Sequence, residues 1–173
     1  MNLRKKIKDF LFRLEFSDVP TDFTSKSDLF KLKFEPNWVY SRKGNSFYSF
    51  HNEKNDLKGG LQFSIKWNVE PPDSMNETDA VIELINREEG EYVGYEEKNI
   101  SNYQAFHYFR NYDDSNMDFY NWVIYQNKVF ILIKFMIFED EIHETKVNWL
   151  NKVTLILNSL ELDEQRFQTT KMY

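Results

Sequence analysis

The sequence predicts an α+β fold: a curved antiparallel sheet of about six or seven strands, helices packed on its faces, and an N-terminal amphipathic helix. Three observations carry this. Residues 118–160 read as two apolar strands about a tight turn, followed by a long amphipathic helix. Leu61, Phe63, Ile65 and Trp67 alternate with Gln62, Ser64, Lys66 and Asn68, the period-2 pattern of a half-buried strand. Aromatic residues make up 17% of the chain and phenylalanine alone occurs 16 times, so the core is expected to rest on large rings. At 173 residues the chain fits one domain. A domain of this size buries roughly 70% of the surface its unfolded chain exposes, so it needs no disulfide or metal staple.

Each element follows from local pattern. Leu3, Ile7, Phe10, Leu11 and Leu14 recur at helical spacing, which predicts an amphipathic helix over 2–16 with a basic opposite face. Residues 17–27, with Pro20 and scattered Asp, Ser and Thr, read as a linker into a domain over 28–163. Phe30, Leu32 and Phe34 alternate with lysines and form a strand that Pro36 ends, with Trp38 following. Phe47 to Phe50 is a second strand, and Gly59-Gly60 opens the third, which Pro71-Pro72 stops. Asn76 caps a helix through Ala80, Val81, Ile82, Leu84 and Ile85, and Gly90 terminates it. Tyr92 to Tyr95 is a short strand or turn; Tyr103 to Tyr112 is a strand with aromatics on both sides. Phe119–Tyr125 and Val129–Phe138 pair around Gln126-Asn127-Lys128, with Asn127 suited to a left-handed position. The second of these strands is apolar on both faces except at Lys134, which places it at the centre of the sheet. The closing helix carries one stripe, Ile142, Trp149, Leu150, Val153, Ile156, Leu157 and Leu160, and residues 164–173 form a polar tail.

Composition removes several functional classes. With no cysteine there is no disulfide framework, thiol nucleophile or cysteine-ligated metal. The net charge of −6 is uneven: residues 1–13 hold five basic residues against Asp9, leaving seventeen basic and twenty-seven acidic residues for the rest. Such an acidic body disfavours nucleic acid, whose binding is dominated by phosphate contacts, and favours a basic partner. No basic start followed by an apolar run of about 7–15 residues is present, and nothing approaches the ~20 apolar residues of a membrane span. A cytoplasmic location is therefore expected. The sequons at Asn76 and Asn99 carry no weight without export.

The order strand, Pro-x-Trp, two strands, helix, antiparallel run and closing helix resembles the PsbP-like fold superfamily. Its members include the photosystem II extrinsic proteins, a Ran-binding nuclear import factor and many small bacterial proteins. The resemblance covers about residues 29–161 and rests on Phe34-Glu35-Pro36-Asn37-Trp38, on Gly59-Gly60-Leu61-Gln62-Phe63-Ser64-Ile65, and on the Trp122 to Leu132 hairpin that feeds the last helix. These are packing residues. The resemblance implies a non-enzymatic adaptor; some bacterial relatives neutralise toxins delivered between competing cells. None of the import factor's partner-contacting residues can be matched here.

Candidate chemistry is sparse. Glu139 and His143 are four apart and could supply two metal ligands on a helix face, but no third ligand is placed by spacing, and an acidic helix start complements the helix dipole equally well. Asp114-x-Asn116-x-Asp118 mimics the opening of a calcium loop, but Phe119 stands where the glycine is required and Tyr125 where the glutamate is. His51 and His107 fall on different strands, no serine sits in a G-x-S-x-G elbow, and no phosphate loop occurs. No catalytic residue, cofactor or metal is assigned.

One cluster does suit recognition: Glu88, Glu89, Glu91, Glu96 and Glu97 surround Tyr92 and Tyr95. Carboxylates steer a basic protein and aromatic rings hold it, although a solvated acidic loop has the same composition. The basic N-terminal helix could touch anionic lipid, pack on the domain or pair with a second copy as a homodimer. The sequence thus points to a non-catalytic cytoplasmic module that binds a protein, most plausibly a toxin-neutralising immunity-type protein with a basic toxin as partner. The alternatives are a small-molecule or lipid-binding domain with an aromatic pocket of Phe106, Tyr108, Tyr120 and Trp122, and a structural subunit of a larger assembly.

Overall fold

The structure, a computed structural model, describes residues 17–52, 59–67, 69–70, 75–90, 94–112, 115–163 and 165. The helix expected over 2–16, and with it the homodimer it would mediate, lies outside them. Among the described residues eleven strands and two helices follow in chain order: β1 (Ser17–Asp18), β2 (Asp22–Thr24), β3 (Phe30–Lys33), β4 (Trp38–Lys43), β5 (Phe47–Asn52), β6 (Gly59–Lys66), α1 (Glu77–Glu89), β7 (Glu96–Ile100), β8 (Tyr103–Asn111), β9 (Met117–Gln126), β10 (Val129–Phe138), α2 (His143–Asn158) and β11 (Glu161–Leu162).

Eight strands form one sheet in the order β1-β4-β5-β6-β10-β9-β8-β7, and β11-β3-β2 form a second. The large sheet is two antiparallel meanders joined along β6 and β10, where Ile65 faces Ile131, Phe63 faces Ile133 and Leu61 faces Phe135. Strand β10 is interior and buried on most positions, as its nearly unbroken apolar run requires. The β9–β10 hairpin closes in two residues rather than three: Asn127 (φ 50°) and Lys128 (φ 64°) both take the left-handed conformation that matches the twist of the strands. At Gly59 a side chain has no room, since a Cβ there would lie 3.0 Å from the Phe135 ring.

Alternation along the strands separates two cores. One face of the large sheet presents Trp38, Tyr48, Phe50, Leu61, Phe63, Ile133 and Phe135, covered by the small sheet and by Trp149, Val153, Ile156 and Leu157 of α2. Its centre is ring on ring: Phe30 stacks on Phe63 at 5.0 Å, Phe34 on Phe50 at 4.8 Å, and Trp38 meets Trp149 edge-on at 5.9 Å. Each fully buried ring contributes about 1.5–3 kcal/mol through area alone, and paired rings somewhat more. The opposite face carries a smaller cluster, in which Val81 and Ile85 of α1 pack on Phe106, Tyr108, Val123 and Phe130. Asn76 Oδ1 accepts from Asp79 N at 2.9 Å at one end of α1, and Gly90 (φ 75°) ends it, both as expected.

Several expectations change. The large sheet has eight strands rather than six or seven, because β1, β4 and β7 join it. Phe30–Lys33 belongs to the second sheet. The stretch 17–27 read as linker contributes β1 and β2, and Phe23 is 3% exposed, edge-on to Phe50 at 5.1 Å and to Tyr40 at 5.0 Å. A single inward ring between Asp22 and Thr24 gives no period to read. Helix α2 begins at His143, so Ile142 is its N-cap and 67% exposed rather than part of the buried stripe.

Candidate protein-binding surface

The acidic cluster falls on the end of α1 and on β7, the terminal strand of the large sheet. Strand β7 pairs only with β8, so its outer backbone edge has no strand partner among the described residues. Glu96, Glu97, Lys98 and Asn99 are all exposed and only Ile100 turns inward. Cross-strand register sends Glu96 and Lys98 to one face, opposite His107 and Ala105, and Glu97 to the other, opposite Phe106.

The carboxylates differ in what they touch. Glu96 Oε1 lies 2.6 Å from Lys98 Nζ and 2.8 Å from His107 Nδ1, and these two contacts, lysine first, hold its carboxyl below the ordinary range. His107 is itself lowered, mainly by burial and then by the Lys98 charge, against the opposing pull of Glu96. Glu97 accepts from Gln104 Nε2 at 2.9 Å. Tyr95 is half-buried with its ring 5.5 Å from Phe106, while Glu88 pairs with Lys66.

Glu89 turns the other way. Its side chain is 3% exposed; it accepts from the Tyr108 hydroxyl at 2.8 Å and from the Tyr112 hydroxyl, with Arg110 Nε at 3.5 Å. Burial, reinforced by the carboxylate, raises both phenols, that of Tyr112 to about 12. Glu89 is therefore the pin that fixes the end of α1 to β8. The signal for this stands in the sequence, since Val81, Ile85 and Glu89 are successive i+4 positions on one helical face. Glu91 and Tyr92 lie outside the described residues. Of the seven residues in the cluster, the structure thus places Glu96 and Glu97 on the open edge with Tyr95 immediately before them, Glu88 beside Lys66, and Glu89 in the interior.

The aromatic pocket is not assembled as one site. Phe106 and Tyr108 share a face of the sheet with Val123 and Asn121, whereas Trp122 and Tyr120 are opposite His107 and Phe109 on the other face. Phe106 does line an open cleft of about 420 Å³ with Tyr103, Tyr125, Gln104 and Gln126. The three histidines are dispersed: His51 is buried in β5, His107 sits in β8 beside Trp122, and His143 opens α2. Because α2 begins at His143, Glu139 is not on its helix and the i+4 metal spacing does not apply. Asp118 is occupied structurally, accepting from Lys146 Nζ at 2.6 Å and Asn111 Nδ2 at 3.0 Å. Among the described residues no group of three or more histidine or acidic side chains could hold a metal, and no helix is long and apolar enough to cross a membrane. Edge strand β7 was missed because its five residues, Glu-Glu-Lys-Asn-Ile, carry one apolar side chain and no alternation.

No family model and no curated protein matches the chain. Solved structures do. A Bacteroides thetaiotaomicron VPI-5482 structure matches with a TM-score of 0.56 at 13% identity, covering 84% of this chain and 49% of its own, so this chain spans about half that protein's length. The cyanobacterial PsbP protein CyanoP of Synechocystis sp. PCC 6803 matches with a TM-score of 0.53 at 12% identity over 87% of this chain and 94% of its own. The Saccharomyces cerevisiae Ran-binding protein Mog1p matches with a TM-score of 0.53 at 9% identity over 87% and 99%. At these identities the likeness is one of architecture: the chain shares the fold seen in CyanoP and Mog1p.

Proposed function

We propose that this chain is a non-catalytic protein-binding module whose partner is a basic protein docking on the β7 edge. The observation that carries this is the terminal strand itself, with four consecutive exposed residues, two of them carboxylates on opposite faces, and an outer backbone edge unmatched by any described strand. An open edge offers main-chain hydrogen bonds to an incoming strand. The acidic side chains that discourage pairing between two copies of this edge attract a partner of opposite charge. Support also comes from the shared fold, since one protein with the same architecture is a Ran-binding protein. The reading is made at the level of a basic protein partner, and toxin neutralisation is one role within it.

The test uses the tagged full chain as bait in extract from its source cells, beside a Glu96→Lys/Glu97→Lys double variant. Both positions are exposed, and the variant's fold is checked by its melting temperature. The expected result is a basic protein retained by the wild type, bound more weakly as salt rises, and at least about tenfold weaker on the variant. Equal retention by both forms would overturn the reading, as would turnover of a substrate by the purified chain.

A further inference from the structure

A second open groove lies far from β7, against β4 near the opposite end of the large sheet, where α2 crosses the start of that strand. It has a volume of about 320 Å³, and its walls are the apolar side chains of Phe34, Trp38, Leu155 and Ile156. Leu155 is 66% exposed, an apolar side chain standing in water at the groove's margin. Two lysines, Lys33 from β3 and Lys152 from α2, form the cationic part of the rim, with Glu35 the only acid lining it.

These lysines differ from most others that line contacts in this molecule. Lys66, Lys98, Lys128 and Lys146 each have a carboxylate partner. Lys33 and Lys152 have none among the described residues, and the only contact of the Lys152 ammonium is the face of the Trp149 ring at 5.2 Å. Trp38, which lines the groove, is 2% exposed. Apolar walls and two lysines without carboxylate partners, on an otherwise acidic protein, are complementary to one ligand chemistry.

We infer that this groove binds an alkyl carboxylate, the chain lying along Phe34, Trp38, Leu155 and Ile156 and the carboxylate held at the Lys33/Lys152 rim. The volume is at the small end of the roughly 300–1,000 Å³ of ligand sites, which suits a medium-length chain rather than a long one. The inference is independent of the β7 reading, because the two sites share no residue.

The experiment titrates the full chain with decanoate below its micelle concentration, following tryptophan fluorescence from Trp38 and Trp149 together with calorimetry. The same titration is repeated with decanol and with a Lys33→Glu/Lys152→Glu variant whose fold is checked by its melting temperature. The expected result is saturable one-to-one binding of decanoate, weakened about tenfold or more in the variant and for the neutral alcohol. No saturable binding, or binding that the double variant and the alcohol leave unchanged, would overturn it. A Leu155→Asp variant, altered at an exposed apolar position, is expected to lose binding as well; retention of full affinity by it would place the ligand elsewhere.

Discussion

The two faces of the large sheet are built from different materials. The face under α2 and the small sheet is a continuous field of rings and aliphatic side chains, with Phe50, Phe63 and Phe135 fully buried. The face under α1 has a small apolar cluster beside a polar row that runs in register across six strands: Ser41, Ser49, Gln62, Lys134, Asn121 and Tyr108. Asn121 is fully buried, Ser41 and Ser49 are 4% exposed, and next to the row lies the Glu89 carboxylate with its two tyrosines. The contrast teaches that the first face supplies bulk stability through area. The second depends on individual hydrogen bonds, so its failures are discrete and chemically legible.

The largest expected effect comes from the first face. Phe63→Ala removes a ring packed against both Phe30 and Phe50, and should cost about 3–5 kcal/mol in a urea unfolding curve. A cost below about 1 kcal/mol would mean that the face is not a packed core. On the second face Glu89→Ala should cost about 3 kcal/mol, because it leaves the buried Tyr108 phenol, the half-buried Tyr112 phenol and Arg110 without their shared carboxylate. It also has a signature that no ring deletion shares. Tyr112 should titrate below its value of about 12, since the carboxylate's share of the rise is lost while the burial remains, visible in the ultraviolet absorbance of tyrosinate. Lys146→Ala should cost about 2 kcal/mol by leaving Asp118, whose side chain is 8% exposed, with its Asn111 contact but without its ammonium partner.

A smaller effect is expected from pH. Burial lowers both His51 and His107 below the ordinary 6.5, so the unfolded chain takes up their protons first. Stability is then complete above about pH 6.5 and falls as the pH drops from there toward the folded-state values. Unfolding midpoints measured from about pH 8 down to about pH 5 should show this decline, and a His51→Gln/His107→Gln variant should flatten it. The smallest effect is a gain: Lys128→Gly places glycine where φ is 64° and should stabilise the hairpin by about 1 kcal/mol, read from the melting temperature.

How much of this was written in the residues follows the same division. Elements on the ring-rich face announce themselves through period and punctuation: Leu61-x-Phe63-x-Ile65 after Gly59-Gly60, and the β9–β10 hairpin about Asn127. Helix α1 is legible from its cap residues. What stayed illegible is short or polar. Phe23 is one ring in a three-residue strand, β11 is two residues, and β7 is a charged edge with nothing to alternate. The acidic cluster was legible as composition but not as geometry. Strand pleat separates Glu96 from Glu97, and helical register turns Glu89 inward. The aromatic pocket failed for a related reason, since neighbouring positions along β8 and β9 point to opposite sides of the sheet.

The central claim, that the ring-rich face holds the molecule together while the β7 edge meets the partner, is tested most directly by one paired measurement. Unfolding free energy and partner affinity are determined for Glu96→Lys/Glu97→Lys and for Phe63→Leu. The account predicts that the first loses affinity about tenfold or more with stability nearly unchanged, and that the second loses about 1–2 kcal/mol of stability with affinity unchanged while folded. Partner affinity that survives reversal of both edge charges, or that falls with the core substitution in the folded protein, would contradict it.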